Sequence, residues 1–227
     1  MHRRGACWPP PAGIDSQAYA GTVDDTNTIT LTSGSADIPG GQLVAKKQLV
    51  PVPESGAVDI TYTLTNGSSE ISVSMAPWQI SRVATGGLTF FAQGSVPVTY
   101  AADNDPTFTV TDAGGNSWYD FAPVVHNSKA FADAGGWLAH ATPSGLLDLV
   151  SHPDIQPAEA APGEAEVEVF ANRDYVEIET QGALAPLAPG ESLTWTVRWK
   201  LRRVPGNAKL DAGDATLAAL VEKTLAE

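Results

Sequence analysis

Two glutamates occupy alternate positions of a predicted strand, Tyr175–Gln181. Because side chains alternate between the faces of a strand, Glu177 and Glu179 point the same way, roughly 6.6 Å apart along it. Two carboxylates on one face can divide acid and base roles if their surroundings separate their pKa values. Acidic alternation is also ordinary on a solvated sheet face, and Glu166 and Glu168 are interpreted in that way.

Two histidines are candidates for a general acid, because imidazole titrates near neutral pH. They are His126, after Val124-Val125, and His140, at the end of a Gly-Gly-Trp-Leu-Ala-His run. Each is also typical of a hydrogen-bonded structural residue. No histidine pairs with another at helix or strand spacing, and the single cysteine, Cys7, excludes a Cys-cluster site. We therefore expect no metal and no cofactor.

A tryptophan adjoins polar side chains in the segment Ala76–Arg82. Pro77 interrupts a strand there, which predicts a bend. Trp78 could stack on a sugar ring while Gln79 and Arg82 hold its hydroxyls. A structural role, in which Trp78 packs beneath the bend and stabilises it, explains the same residues equally well.

Alternating polar and apolar residues predict the strands that must position these side chains. The predicted strands are Thr28–Ser33, Gln42–Val50, Ala57–Asn66, Glu70–Met75, Gly87–Ala92, Val96–Tyr100, Thr107–Asp112, Ser117–Phe121, Leu146–Ser151, Ala165–Phe170, Tyr175–Gln181 and Ser192–Arg203. Turn residues separate them, a spacing typical of an antiparallel all-β sandwich rather than of alternating β and α units.

The end of the chain carries the clearest patterns. In Leu193–Arg202 the apolar residues share one face, so Trp195, Trp199 and Leu201 are predicted to face the core. An amphipathic helix follows, with Asp211 or Asp214 as its cap. Its apolar positions are Leu217, Leu220, Val221 and Leu225. These patterns predict a β domain over 1–207 and a C-terminal helix within 208–227.

Composition excludes several classes of function. The chain has 227 residues with 26 acidic and 13 basic side chains, a formal charge of −13. Such a surface repels phosphate backbones and anionic lipids, so neither nucleic acid nor a membrane is an expected partner. The motifs of serine hydrolases, P-loop NTPases and dinucleotide-binding enzymes are missing. The basic start, Met1–Cys7, runs into Trp8–Pro11 instead of an apolar stretch, so we expect no export signal and a cytoplasmic protein.

A family resemblance emerges near the C-terminus. Glu177-Ile178-Glu179-Thr180-Gln181, then Leu187-Ala188-Pro189-Gly190-Glu191-Ser192 and a long amphipathic strand, resembles the end of galactose mutarotase (aldose 1-epimerase) relatives. An uncharacterised bacterial branch of that superfamily is similar over further segments. These are Trp8-Pro9-Pro10, Ala76–Arg82, Gly86–Phe90, Lys129–Phe131, Gly136–His140 and Glu166–Gln181.

The resemblance implies a β-supersandwich with a C-terminal helix and a sugar site on the concave face of one sheet. In mutarotases a glutamate takes the anomeric hydroxyl proton and a histidine protonates the ring oxygen. By position in the motif Glu179 would be the base, and Glu177 a neighbour that raises its pKa or binds a hydroxyl.

This sequence departs from the family pattern at two places. The segment that supplies the acid histidine in mutarotases corresponds here to Pro77–Gln79, so His140 or His126 would have to replace it. Lys129 or Arg82 would supply positive charge, which suits a uronate. The N-terminal strands of the family have no counterpart, and a homodimer would cover the open edges.

Three functions stay open at this point. The first is an epimerase-type enzyme with Glu179 as base. The second is a non-catalytic module that binds a small-molecule sugar through Trp78, Arg82 and the glutamate pair. The third is a structural or interaction domain in which Glu177 and Glu179 are solvated.

Overall fold

Antiparallel strands dominate the computed structural model, which describes residues 10–227. The strands are β1 (Ala20–Val23), β2 (Ile29–Thr32), β3 (Ala36–Ile38), β4 (Gly41–Val52), β5 (Ala57–Asn66), β6 (Val73–Met75), β7 (Trp78–Ala84), β8 (Leu88–Ala92), β9 (Thr99–Tyr100), β10 (Thr111–Ala113), β11 (Asn116–Asp120), β12 (Ser128–Ala132), β13 (Trp137–Ala141), β14 (Leu146–Ser151), β15 (Val167–Ala171), β16 (Tyr175–Gln181), β17 (Ala185–Leu187) and β18 (Ser192–Arg203). The helices are α1 (Ala12–Asp15), a 3-10 turn at Pro157–Glu159, and α2 (Ala215–Leu225). The predicted all-β class with a C-terminal helix is confirmed.

The chain divides into two compact units. The first holds residues 10–77, Ala161–Gly163 and Ala183–Arg198, and the second holds Trp78–Ala160, Glu164–Gly182 and Trp199–Glu227. Strand β18 begins in the first unit and ends in the second.

The first unit is a sheet with the order β1–β2–β4–β5–β18, in which β3 also pairs with β4. Strands β6 and β17 form a separate two-stranded ribbon. The Arg198 guanidinium binds Asp59 through two hydrogen bonds, Nε to Oδ1 at 2.6 Å and Nη2 to Oδ2 at 2.8 Å. The side chain of buried Asn66 donates to the carbonyls of Ile71 and Leu187. These contacts tie β5 to the ribbon and to β18.

The second unit is a sandwich of two sheets. The glutamate sheet has the order β7–β16–β15–β12–β9, and the helix-side sheet has the order β14–β13–β8–β11–β10. Phe91 and Leu138 of the helix-side sheet share one buried cluster with Val169 and Ile178 of the glutamate sheet. That cluster is the core between the two sheets.

Helix α2 covers the other face of the helix-side sheet, where Leu217 and Val221 join Phe90 and Leu147 in a second buried cluster. Asp214 is the cap, accepting hydrogen bonds from the amides of Thr216 and Leu217 at 2.7 and 3.1 Å.

The helix occupies only the later part of the predicted range 208–227. Leu210 (φ 54°) and Gly213 (φ 83°) adopt left-handed backbone conformations, which a right-handed helix cannot include. At the C-terminal end of the helix, Leu225 is 38% exposed. The predicted apolar face of the helix is therefore not buried at this residue.

The predicted apolar face of β18 holds for Trp195 and Val197, and Trp199 packs against the core. It is wrong at the end of the strand, where Leu201 is 54% exposed and Lys200 is buried. The Lys200 ammonium donates to the Thr224 carbonyl at 2.5 Å. The free carbonyl groups at the C-terminus of a helix attract cations, which explains why the Lys200 ammonium is buried against α2.

Candidate functional site

The hairpin of β15 and β16 places the glutamates opposite one another. Antiparallel register pairs Glu168 with Glu179, and the Asn172 side chain fixes the turn by accepting two backbone amides at 2.8 and 3.0 Å. Val169 and Ile178 face the core, so by alternation Glu168 and Glu179 face the outer side of the glutamate sheet. They are nonetheless buried, each only 1% exposed.

One cation joins both carboxylates. The Lys129 ammonium, from the neighbouring strand β12, lies 2.9 Å from Glu179 Oε2 and also contacts Glu168 Oε2. The Lys129 side chain is 21% exposed, so it forms the accessible part of the trio. One positive charge therefore serves two buried carboxyl groups.

Burial governs how these groups titrate. Burial raises the pKa of Glu179 to about 7, although the Lys129 ammonium opposes the rise and a hydrogen bond from Trp78 opposes it weakly. Burial and a hydrogen bond with the Glu164 carboxyl raise the pKa of Glu168 well above its usual value. Burial lowers the pKa of Lys129, but the two carboxylates outweigh it and leave that pKa above its ordinary value. The two carboxyl groups therefore take up protons at a higher pH than exposed glutamates do.

Aromatic rings flank the Lys129 ammonium. Its Nζ atom lies 5.2 Å from the centre of the Trp78 ring and 5.7 Å from that of Phe131. Both distances lie within the range of cation–π attraction. Trp78 is half-buried and pairs with Gln181 at the start of β7. We call Glu168, Glu179, Lys129 and Trp78 together the glutamate site.

A second ion pair lies two residues along the same face. Arg82 pairs with Glu177 in the register of β7 and β16, and its Nε atom lies 2.8 Å from Glu177 Oε1. The guanidinium also stacks on Tyr175, 4.3 Å from the ring centre. The Arg82 side chain is 65% exposed and that of Glu177 14% exposed. This ion pair therefore lies at the solvent-exposed edge of the outer face of the glutamate sheet.

Gln79, a predicted binding residue, points the other way. It lies between Trp78 and Arg82 on β7, so its side chain occupies the opposite face. It is buried there and donates to Ser81 Oγ at 2.7 Å, while Thr180 donates to it at 3.4 Å. The structure does not bring Gln79 to the glutamate site.

His140, a candidate acid, lies on the helix-side sheet. Leu138, two residues earlier on β13, faces the core, so the His140 ring faces the same interior. It is 1% exposed, its Nδ1 lies 2.9 Å from Thr89 Oγ1, and burial lowers its pKa to about 4. Glu179 lies on the outer side of the other sheet, so the structure does not place His140 beside it.

His126, the other candidate acid, lies in the loop before β12. Its Nε2 is 2.8 Å from the Asp103 carbonyl and its Nδ1 is 3.9 Å from Asp105 Oδ2. Asp105 in turn accepts the amides of Val125 and Thr107, which organises the turn around Asp103–Asp105. His126 is therefore engaged with this turn and not with the glutamates.

The interpretation of Glu166 and Glu168 as solvated is wrong, since they are 2% and 1% exposed. Glu166 accepts the amides of Ala134 and Gly136 at 2.6 and 3.0 Å, and burial raises its pKa to about 8. It therefore holds the 134–136 loop. Glu168 is the site residue that sequence reasoning missed, although the hairpin register with Glu179 was a signal for it.

Two other kinds of feature are absent from the described residues. Within residues 10–227 no group of three His, Cys, Asp or Glu side chains is arranged to hold a metal ion. No helix in that part of the chain has the length and apolar character to cross a bilayer. Met1–Cys7 and Trp8, which entered the sequence interpretation, lie outside the described residues.

Solved structures with the same architecture were found by structural comparison, whereas no family model and no curated protein matches the sequence. A galactose mutarotase-like protein from Lactobacillus casei matches with a TM-score of 0.57 and 11% identity, over 81% of this chain and 73% of that one. A proposed aldose 1-epimerase from Klebsiella pneumoniae matches with a TM-score of 0.52 and 14% identity, over 92% of this chain and 57% of that one. The chain therefore has the galactose mutarotase-like fold.

Proposed function

We propose that the chain binds a sugar at the glutamate site and interconverts its anomers, with Glu179 as the base. The observation that carries this proposal is the Glu179 carboxyl group, buried on the outer face of the sheet and held 2.9 Å from the Lys129 ammonium. A general base works best when its pKa lies near the working pH. Burial places the pKa of Glu179 at about 7, in that range.

The surroundings of Glu179 suit a sugar ring. Trp78 offers an aromatic surface for the apolar C–H face of a pyranose, as in many sugar sites. Lys129 and Glu177 supply a donor and an acceptor for hydroxyl groups on the same face. The resulting mixture of one apolar surface and few polar groups is typical of small-molecule sites.

The charges favour a neutral sugar over a uronate. The cations Lys129 and Arg82 are already paired with Glu168, Glu179 and Glu177. A sugar carboxylate would meet at least as much negative as positive charge on this face. We therefore expect a neutral aldose to bind more tightly than a uronate.

The names of the structural neighbours support the proposal by analogy. Proteins called galactose mutarotase-like or aldose 1-epimerase share this fold. One fold can host many functions, so the function proposed for this chain rests on the residues of the glutamate site.

Proton NMR of the anomeric region tests the proposal. Freshly dissolved α-glucose, α-galactose and α-galacturonate are each followed with purified protein. We expect one of the neutral sugars to reach anomeric equilibrium faster than it does spontaneously, and Glu179→Gln to abolish the acceleration. Full activity of a folded Glu179→Gln protein would rule out Glu179 as the base.

A second candidate function is sugar binding without catalysis. It is favoured by one observation, that neither His140 nor His126 lies beside Glu179 to act as the acid. It predicts saturable binding of a sugar, weakened by Trp78→Ala, with no acceleration of anomer exchange. Unchanged binding by Trp78→Ala would exclude the stacking role.

A further inference from the structure

A ring-opening reaction needs an acid as well as a base, and the histidines do not supply it at the glutamate site. The group facing Glu179 from the adjacent strand is another carboxyl, Glu168. Both contact the same Lys129 nitrogen, so their oxygens are no more than two hydrogen-bond lengths, roughly 6 Å, apart. The anomeric and ring oxygens of a sugar are bonded to one carbon, so two groups this close can reach both.

We propose that Glu168 is the acid of this site, protonated in the resting protein and donating to the sugar ring oxygen while Glu179 accepts the anomeric proton. This inference rests on the proposed epimerase function. It assigns the role of the acid to Glu168, the second residue of β15, in place of a histidine.

The environment of Glu168 favours a protonated carboxyl. It is 1% exposed, and its Oε1 atom accepts the Ala165 amide at 3.0 Å. It also shares a hydrogen bond with the Glu164 side chain, which two carboxyl groups can form only when one of them carries a proton. Glu164 is half-buried, so it connects Glu168 towards solvent.

The charged groups around the pair divide the two roles. Glu164 and Lys129 face Glu168, and Glu179 faces it across the strands. Lys129 and Glu177 face Glu179. Both carboxyl groups contact Lys129, but Glu168 also has the Glu164 carboxyl beside it, so we assign the proton to Glu168 and the negative charge to Glu179.

The proposed steps balance. Glu179 takes the proton of the anomeric hydroxyl, the bond between C1 and the ring oxygen breaks, and its electron pair moves to the ring oxygen, which takes the Glu168 proton. The open-chain aldehyde then turns its other face. Reclosure runs the same steps backwards: the ring oxygen returns its proton to Glu168 as it attacks C1, and the new anomeric oxygen recovers the proton from Glu179.

The pH profile of anomer exchange tests the assignment. For the wild type we expect kcat/KM to rise as Glu179 ionises and to fall as Glu168 loses its proton. Glu168→Gln should lower the rate by about 100-fold or more and remove the falling limb, because general acids typically contribute that much. Glu166→Gln is the matched control, since Glu166 is a buried glutamate just before β15 that bonds the amides of the 134–136 loop and lies 3.7 Å from His152 Nδ1, outside the glutamate site. It should keep both limbs.

In one outcome the wild type accelerates anomer exchange while the Glu168→Gln variant keeps the same rate and the same falling limb of the pH profile. That result would overturn the acid role of Glu168 but leave the proposed function standing. A wild type inert toward every sugar would overturn the proposed function together with this inference.

Infrared spectroscopy keeps the inference testable if Glu168→Gln does not fold. In a Glu166→Gln background, which removes the buried glutamate just before β15, we expect the carbonyl stretch of a protonated carboxyl at pH 8, where Glu179 is mostly ionised. The band should move in frequency when Glu164→Gln replaces its hydrogen-bond partner. A spectrum without that band, or a band that Glu164→Gln leaves unmoved, would contradict a proton on Glu168.

Discussion

At the scale of residues, the site is defined by a shortage of positive charge. Two buried carboxyl groups, Glu168 and Glu179, share the single ammonium of Lys129. An unpaired buried charge costs several kcal/mol, so a group in this position takes up a proton instead of staying ionised. The chemistry proposed for the site follows from this imbalance.

Lys129→Met tests the imbalance through stability. Without the ammonium the buried Glu179 carboxylate loses its cation, and the free energy of unfolding should fall by about 3–5 kcal/mol at pH 8. The loss should be smaller at pH 5, because the carboxyl groups are then protonated and need no cation. Urea unfolding at the two pH values measures the difference.

Arg82→Met is the control for that experiment. Its ion pair with Glu177 lies at an exposed edge, where such pairs contribute about 0–1 kcal/mol. Equal losses for Lys129→Met at pH 5 and pH 8, or a loss no larger than that of Arg82→Met, would contradict the buried trio.

Part of the site was predictable from the sequence. Strand alternation places Glu177 and Glu179 on one face, and a hairpin drawn between the two predicted strands would have set Glu168 opposite Glu179. Lys129 entered only through the family resemblance, because nothing local in its strand marks it. Burial was not predictable, since alternation separates two faces but cannot say what covers the polar one.

At the scale of elements, strands with one wet face were predicted well. Four predicted strands have the observed bounds at both ends: Ala57–Asn66, Leu146–Ser151, Tyr175–Gln181 and Ser192–Arg203. The strands β12 and β13 were missed, because nearly every residue in them is buried and no polar alternation results. One of these, β12, carries Lys129.

The predicted strand Thr107–Asp112 begins only at Thr111. Asp105 accepts hydrogen bonds from both the amide and the hydroxyl of Thr107, and its own carbonyl accepts the Phe108 amide. A side chain that bonds the following backbone in this way stabilises a turn in competition with a strand. Alternation of residue types does not reveal that competition.

The cap of α2 gives a prediction at the same scale. Asp214→Ala removes the acceptor of two helical amides and should lower the free energy of unfolding by about 1 kcal/mol. Asp211→Ala, the other cap that the sequence allowed, is the matched control because its side chain is exposed and accepts neither amide. Thermal unfolding of both variants decides between them, and an equal effect would contradict the observed cap.

At the scale of the whole molecule, buried titratable groups set how stability depends on pH. The pKa values of Glu179 and Glu166 are raised from 4.5 to about 7 and about 8, and those of His140 and His152 are lowered from 6.5 to about 4. Between pH 4.5 and 6.5 the folded chain binds extra protons on the glutamates, the unfolded chain binds extra protons on the histidines, and the two effects oppose each other.

Above pH 6.5 the difference in bound protons between the two states comes, among these four groups, from the glutamates. The folded chain then binds more protons, so the free energy of unfolding should fall as the pH rises to about 8, by on the order of 2 kcal/mol. Denaturant unfolding from pH 5 to 9 measures this slope, and Glu166→Gln should flatten it. A stability that rises over this interval would contradict the buried, proton-binding glutamates.

The central claim is that Glu179 is a buried base at which a sugar binds, and carbon-13 NMR of its labelled carboxyl, assigned with Glu179→Gln, tests it most directly. We expect that carboxyl to titrate near pH 7 and its signal to move when a neutral aldose is added. Titration near the ordinary value of 4.5, with a signal that no sugar displaces, would contradict the account.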